Sequence, residues 1–237
     1  MLEAGIHVLA EKPACVDPDD FANLSELADK KQVHLMLALG NRINPWVQDA
    51  RRIYQQNGIG NLYAVRGMTL ADQTRIWNTE RRNWTFNKSD AGGGHLIWLG
   101  IHWLDLAMHI TGSNISTVAG FTTNIGRQPV NIEDSATAAL QFDNGALGTM
   151  TSGYYLKRGY HSHIKIWGSE GWLHLQQMLD KPLHWISDKG DEAGNVQEWQ
   201  GNRRPRGYTP YVRACVEACA NDTDPPINNS DSLRAVK

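Results

Sequence analysis

One stretch holds most of the residues able to do chemistry: GGGHLIWLGIHWLDLAMHI, residues 92–110. Read as a 3.6-residue helix, Trp98, His102, Asp105 and His109 fall within an arc of about 60°. Ile97, Ile101, Leu104 and Met108 flank that stripe on one side, and Leu99, Trp103, Leu106 and Ile110 on the other. A helix apolar nearly all round is normally buried, so its polar stripe must face polar partners or a cavity. Solvent-facing stripes favour Lys, Glu and Arg. This one offers Trp, His, Asp and His, which favours a cavity over solvent. His109 reads as a satisfied helix histidine. The three glycines before the helix make sense where backbone must approach another group closely; a flexible loop is the plainer alternative.

A second informative stretch stands at the chain start, MLEAGIHVLAEKP. The apolar run Ile6–Ala10 reads as a buried strand that stops at Glu11-Lys12-Pro13. The proline fixes the turn and holds Lys12 extended, so a buried strand delivers a lysine to its C-terminal end. His161 and His163 share a strand face and make half a metal site with no third ligand in view, so no metal is expected. Cys215 and Cys219, one helical turn apart, read as small buried residues.

The elements that must position these groups follow from periodicity. Residues 6–10 are a strand, Asp17–Lys31 a helix with Pro18 in its first turn, and His34–Leu39 a second apolar strand. That order is a βαβ unit with parallel strands. A helix follows over residues 44–57, then a strand from Leu62. Residues 72–94 read as a polar loop bearing tryptophans, and residues 96–111 as a helix. Ala136, Ala138, Leu140 and Phe142 alternate toward one face before the hairpin turn Asp143-Asn144-Gly145. Strands through residues 146–156, 162–167 and 172–175 continue a mostly antiparallel sheet. Residues 188–207 read as a surface loop, residues 210–220 as a helix, and another helix begins before Lys237. The fold class is therefore α/β plus α+β. Residues 1–41 read as a short βαβ remnant, and residues 42–237 as an α+β domain on a large, mostly antiparallel open sheet.

The segments LEAGIHVLAEKP, NRINP, NGIGNLYAV, GGG…GIHWLD and EDSATAALQFDNGALG occur in order across nearly the whole chain. Together they resemble the Gfo/Idh/MocA family of nicotinamide-dependent oxidoreductases. The resemblance implies an N-terminal Rossmann domain, an open-sheet domain, NAD or NADP as cofactor, and oxidation of a secondary alcohol of a sugar, inositol or related polyol. It implies that Glu11, Lys12 and Pro13 lie beside the nicotinamide, that Lys12 points at the substrate hydroxyl, and that His102 is the general base. Arg42 is a further candidate for cofactor contact, and Trp98, Asp105, Trp84, Tyr154 and His161 for substrate contact. No Gly-x-Gly-x-x-Gly separates a strand from a helix here, so the chain is expected to carry only the later part of that Rossmann domain.

One departure is chemical. Family members commonly carry aspartate four residues before the histidine, where this chain has Trp98. An indole has one N–H donor and no acceptor, so it cannot orient an imidazole as a carboxylate does. It can instead stack on the C–H surface of a sugar. Two alternatives to a dehydrogenase therefore stay open: a catalytically weak sugar-binding relative, and a glycoside hydrolase or lyase that uses nicotinamide transiently.

Composition removes other classes. The 237 residues carry a formal charge of −2, against a nucleic-acid or anionic-membrane footprint. No apolar run approaches ~18 residues, so no membrane span is expected. Three cysteines make no disulfide framework and fit a reducing, cytoplasmic setting. The resemblance also implies a homo-oligomer formed through the C-terminal sheet.

Overall fold

A computed structural model describes residues 1–72, 84–126 and 130–237. Residues 73–83, which hold most of the Trp-bearing loop expected over 72–94, and residues 127–129 lie outside the described residues.

Strand β1 (Val8–Ala10) runs parallel to β2 (Leu35–Leu37), with Leu9 opposite Met36, and α1 (Pro18–Lys31) makes the crossover. Helix α1 starts where Asp17, in extended backbone, accepts the Asp19 N–H, and Pro18 fills the first turn where no donor is needed. Lys30 and Lys31 sit at its negative C-terminal end, and Gln32 closes it in the left-handed region at φ 54°. Phe21, Ser25 and Ala28 are its buried face.

Pro45–Gln55 forms α2, and its Trp46, Val47 and Ala50 are buried against the large sheet. That sheet has eight strands in the order β10-β9-β8-β7-β3-β6-β5-β4. They are β3 (Leu62–Asp72), β4 (Ile115–Thr123), β5 (Ser135–Phe142), β6 (Leu147–Leu156), β7 (Tyr160–Gly168), β8 (Gly171–Leu175), β9 (Leu183–Ser187) and β10 (Gln197–Glu198). All neighbours are antiparallel except β3 and β6. Ala136, Ala138, Leu140 and Phe142 face inward as their alternation requires, together with Met150, Ile164, Ile166 and Leu173. The turn at Asp143-Asn144-Gly145 puts Gly145 at φ 87°, a conformation that suits glycine.

Two expectations need correction. Residues 188–207 are not all surface loop: Gln197–Glu198 is the edge strand β10, and Trp199 beyond it is only 5 % exposed. Trp199 packs edge-on against Trp46 and donates its indole N–H to Asp49 Oδ2 at 2.8 Å. One inward aromatic in a polar stretch leaves no periodicity to read. The expected single helix over 96–111 is also two pieces. Leu96–Gly100 is a π turn, and α3 (Ile101–Thr111) continues it as α-helix. A π turn takes one extra residue per turn, so it rotates Trp98 relative to the α3 stripe.

The helices α4 (Tyr208–Asn221) and α5 (Asn229–Val236) cover the βαβ unit, not the large sheet. Tyr211, Cys215 and Ile227 join Phe21, Leu35, Leu37 and Leu39 in a second core, and the Tyr211 hydroxyl donates to the Leu37 carbonyl. Asn229 and Ser232 accept the Leu35 and Leu37 N–H groups at 2.7 and 3.2 Å. Among the described residues no helix is long and apolar enough to cross a membrane.

Candidate active site

The turn after β1 meets the π turn before α3. Lys12 Nζ donates to the carbonyl oxygen of Trp98 and lies 5.1 Å from the indole centroid, a cation–π distance. Burial lowers the Lys12 pKa, with the neighbouring Glu11 charge opposing it. Trp84 packs on Trp98 with ring centroids 5.5 Å apart. His102 follows one turn on, at the start of α3. The structure thus brings Lys12, Trp98, Trp84 and His102 to one place, with Glu11 exposed and Pro13 half-buried beside them.

Three nitrogens on this side of the helix are buried without a hydrogen-bond partner among the described residues: His95 Nε2, Trp98 Nε1 and His102 Nδ1. Leaving a buried donor or acceptor unmade costs about 1–3 kcal/mol. Groups left so cluster where a ligand or a catalytic role satisfies them. His102 Nδ1 is an atom a carboxylate at position 98 could hold, and the indole there supplies only a donor.

His95 escaped the sequence reading. It is fully buried, its Nδ1 is 2.6 Å from Ser152 Oγ, and its ring meets Tyr154 edge-to-face at 4.2 Å. The signal was available. His95, Trp98 and His102 are spaced three and four apart, the same rule that marked the later stripe. Tyr154 enters the site through this contact, and burial, then the Glu133 charge, pushes its phenol pKa up.

The glycines before the helix have a structural reason. Gly94 donates its N–H to Glu133 Oε2 at 2.7 Å, and a Cβ on it would stand 1.8 Å from the Glu133 carbonyl oxygen. Gly94→Ala is therefore expected to destabilise the protein by about 1–3 kcal/mol through forced backbone displacement. Urea melts measure it; an unchanged midpoint would return the segment to a merely flexible loop.

Three site expectations are corrected. Asp105 is 1 % exposed and does not face the Lys12 pocket, because its two oxygens take Arg42 Nε at 3.1 and 2.9 Å and Nη2 as well. Arg42 is equally buried, and its Nη1 binds Asp231 on α5 at 2.6 Å, so it is committed to this network and not to a cofactor. Burial works against the Arg42 charge, but Asp105 and then Asp231 outweigh it and hold its pKa above the ordinary value. His161 is exposed on the opposite face of the sheet. It lies across from Leu70, which opposes Gly153, while the adjacent Thr69, Ser152 and Ser162 point inward. The polar stripe is thus split: His102 stays at the Lys12 end, while Asp105 and His109 meet arginines. Arg51 Nη1 lies 2.9 Å from His109 Nδ1, which must accept because a guanidinium only donates.

His95, His102 and His109 are each held down to about 3, by burial first, then by the Lys12 charge for the first two and by Arg42 and Arg51 for the third. Each is neutral in the folded protein, whereas in the unfolded chain it takes a proton near 6.5. The unfolded state therefore binds more protons between these limits. The stability present above pH 6.5 is lost as pH falls through the window. Unfolding near pH 5 is expected to take up roughly one proton per histidine, read from the slope of unfolding free energy against pH. A flat profile from pH 7 to 5 would contradict the burial of these rings.

A parallel βαβ unit offers a lysine at its C-terminal edge, where α/β folds place their ligands, to a histidine helix backed by an open sheet. Fold and site together define an α/β plus α+β protein with a polar, aromatic-walled site at the edge of its βαβ unit. Residues 47–174 match the model of the GFO/IDH/MocA C-terminal domain, and the chain belongs to the GFO/IDH/MocA family. It is 27 % identical over 231 residues to levoglucosan dehydrogenase of Pseudarthrobacter phenanthrenivorans, covering 86 % of this chain and 58 % of that protein. It is 23 % identical over 233 residues to scyllo-inositol 2-dehydrogenase (NAD(+)) of Bacillus subtilis, covering 97 % and 65 %. The chain thus spans about three fifths of the length of these curated relatives. Among solved structures, an oxidoreductase domain protein from Kribbella flavida superposes with a TM-score of 0.86 at 27 % identity, over 99 % of this chain and 70 % of that one. Levoglucosan dehydrogenase in complex with NADH and L-sorbose shares the fold, with a TM-score of 0.84 at 22 % identity over 99 % and 69 %.

Proposed function

We propose that the complete protein is an NAD(P)-dependent oxidoreductase acting on a secondary alcohol of a sugar, inositol or related polyol. Residues 1–41, covered by α4 and α5, are read as the later part of its nucleotide-binding domain, and the eight-stranded sheet with α2 and α3 as its substrate domain. The observation that carries this reading is Lys12 seated on Trp98, one turn from His102, beside nitrogens that lack partners. The donor set fits a nicotinamide site: the Glu11-Lys12-Pro13 turn, with Glu11 exposed and Lys12 and Pro13 half-buried, at the C-terminal edge of parallel strands. When bound, the cofactor supplies the hydride acceptor. Lys12 hydrogen-bonds the reacting hydroxyl, and His102, neutral at working pH, accepts its proton. Trp98 and Trp84 give the sugar an apolar wall that also excludes water.

The relatives named as levoglucosan and scyllo-inositol dehydrogenases support the substrate class. The test is net nicotinamide reduction by the complete protein with levoglucosan, myo-inositol and scyllo-inositol. Reduction with at least one supports the reading, while glycoside cleavage without net reduction points to transient use of the cofactor. One observation favours a second reading, a catalytically weak sugar-binding relative. An imidazole held to about 3 with Nδ1 unpartnered is a feeble base. Saturable polyol binding without turnover would establish it.

The open face of the sheet supports a homo-oligomer. Phe121, 88 % exposed, lies in register with Thr137, Thr151, Met68 and His163, and Leu147 is also exposed on that face. Phe121→Asp is expected to shift sizing toward monomer, and a strict monomer at high wild-type concentration would refute the contact. The three cysteines are free thiols, which supports a reducing, cytoplasmic setting.

A further inference from the structure

His95 takes no part in the reaction just described, yet its surroundings hold it more closely than any other ring near Lys12. Its Nδ1 meets Ser152 Oγ at 2.6 Å, and Ser152 is itself fully buried. Its ring stands edge-on to Tyr154 at 4.2 Å. The N–H of the same residue is directed at the Glu133 carbonyl at 3.4 Å. Ring and backbone are thus located on several sides, and only Nε2 is left without a partner among the described residues.

That nitrogen belongs to a set. His95 stands at the head of the π turn that carries Trp98, and His102 follows that turn at the start of α3. Trp98 Nε1 and His102 Nδ1 are unpartnered as well, and the Lys12 charge reaches both imidazoles. One reacting hydroxyl occupies Lys12 and His102 and leaves His95 unused. A polyol has more hydroxyls to offer.

We propose that His95 Nε2 binds a second hydroxyl of the substrate, so that the site selects polyols over alcohols with a single hydroxyl. This rests on the oxidoreductase reading above. Ser152 is a positioning residue. When its hydroxyl donates to Nδ1, the single proton of the neutral ring sits on Nε2 and is presented to the substrate oxygen as a donor. Burial, then the Lys12 charge, keeps the ring neutral and so leaves this one tautomer to be selected.

Two probes with the same ring separate the possibilities: cyclohexanol, with one hydroxyl, and myo-inositol, with several. In ¹⁵N-histidine spectra of the full chain, myo-inositol is expected to move His95 Nε2 and His102 together, and cyclohexanol to move His102 alone. If myo-inositol moves His102 and leaves His95 still, the proposal falls and the oxidoreductase reading stands. If neither probe moves either ring, both fall. Equal movement of His95 with both probes overturns the second-hydroxyl contact, since the ring would then sense occupancy alone. His95→Phe keeps an aromatic ring against Tyr154 and removes the nitrogens. It is expected to weaken myo-inositol binding about three- to tenfold, the worth of one neutral hydrogen bond, with cyclohexanol unchanged. Should that variant not fold, the wild-type spectra decide. Ser152→Ala leaves the ring in place and is expected to move proton occupancy from Nε2 toward Nδ1, with inositol binding weakened alongside. An unchanged tautomer overturns the role given to Ser152.

Discussion

His102→Ala and Lys12→Ala, each in the complete protein, are expected to lower polyol oxidation by about 10²–10⁴-fold, the usual reach of positioned acid and base groups. The two losses should overlap rather than add, since both groups act on one hydroxyl. Lys12 has a further part to lose: its ammonium binds the Trp98 carbonyl and caps the indole face, so its removal also frees the aromatic wall. Trp98→Ala should therefore raise KM more than it lowers kcat. Trp98→Asp tests the base directly. A carboxylate there would give His102 Nδ1 an acceptor and raise an imidazole now held to about 3. The acid limb of the kcat profile should then move to higher pH, with faster turnover on common polyols. Steady-state kinetics across pH measure all four variants. Turnover untouched in His102→Ala would place the base elsewhere and remove the central residue of the proposed mechanism.

Asp105→Ala should destabilise the fold by about 3–5 kcal/mol, because it leaves the Arg42 guanidinium buried with half its partners gone. The pair does more than neutralise a charge. Arg42 follows the βαβ unit, Asp105 lies on α3 and Asp231 on α5, so one guanidinium joins three elements distant in sequence. Replacing both partners together, Arg42→Met with Asp105→Leu, should recover most of the loss, since buried ion pairs are often no better than apolar groups of similar shape. Urea melts of the single and double variants give the comparison. A loss below about 1 kcal/mol for Asp105→Ala would mean that the apolar contacts of α3 and α5 hold these elements without the network.

Local chemistry made the frame of this protein legible in the chain. Asp17-Pro18 opens α1 because a capping carboxylate and a proline both suit a first turn. The alternation through Ala136–Phe142 and the turn at Asp143-Asn144-Gly145 mark a half-buried strand and its hairpin, since both depend on neighbours two to four residues away. His102 and Lys12 were visible for a different reason: their surroundings resemble a known family residue by residue. The uses of the polar side chains were settled only by long-range packing. Helical spacing puts Asp105 and His102 on one stripe, but α5 returns some 120 residues later with Asp231 and turns that end of the stripe into an ion network. The π turn over Leu96–Gly100 breaks the periodicity on which any reading of Trp98 relied, and it begins just after Gly94, which presses against Glu133 from another part of the chain. His161 went to the wrong face because strand period fixes alternation without saying which side meets the helices. His95 acquires its meaning from Ser152 and Tyr154, more than fifty residues away, and no local pattern encodes a contact made at that distance.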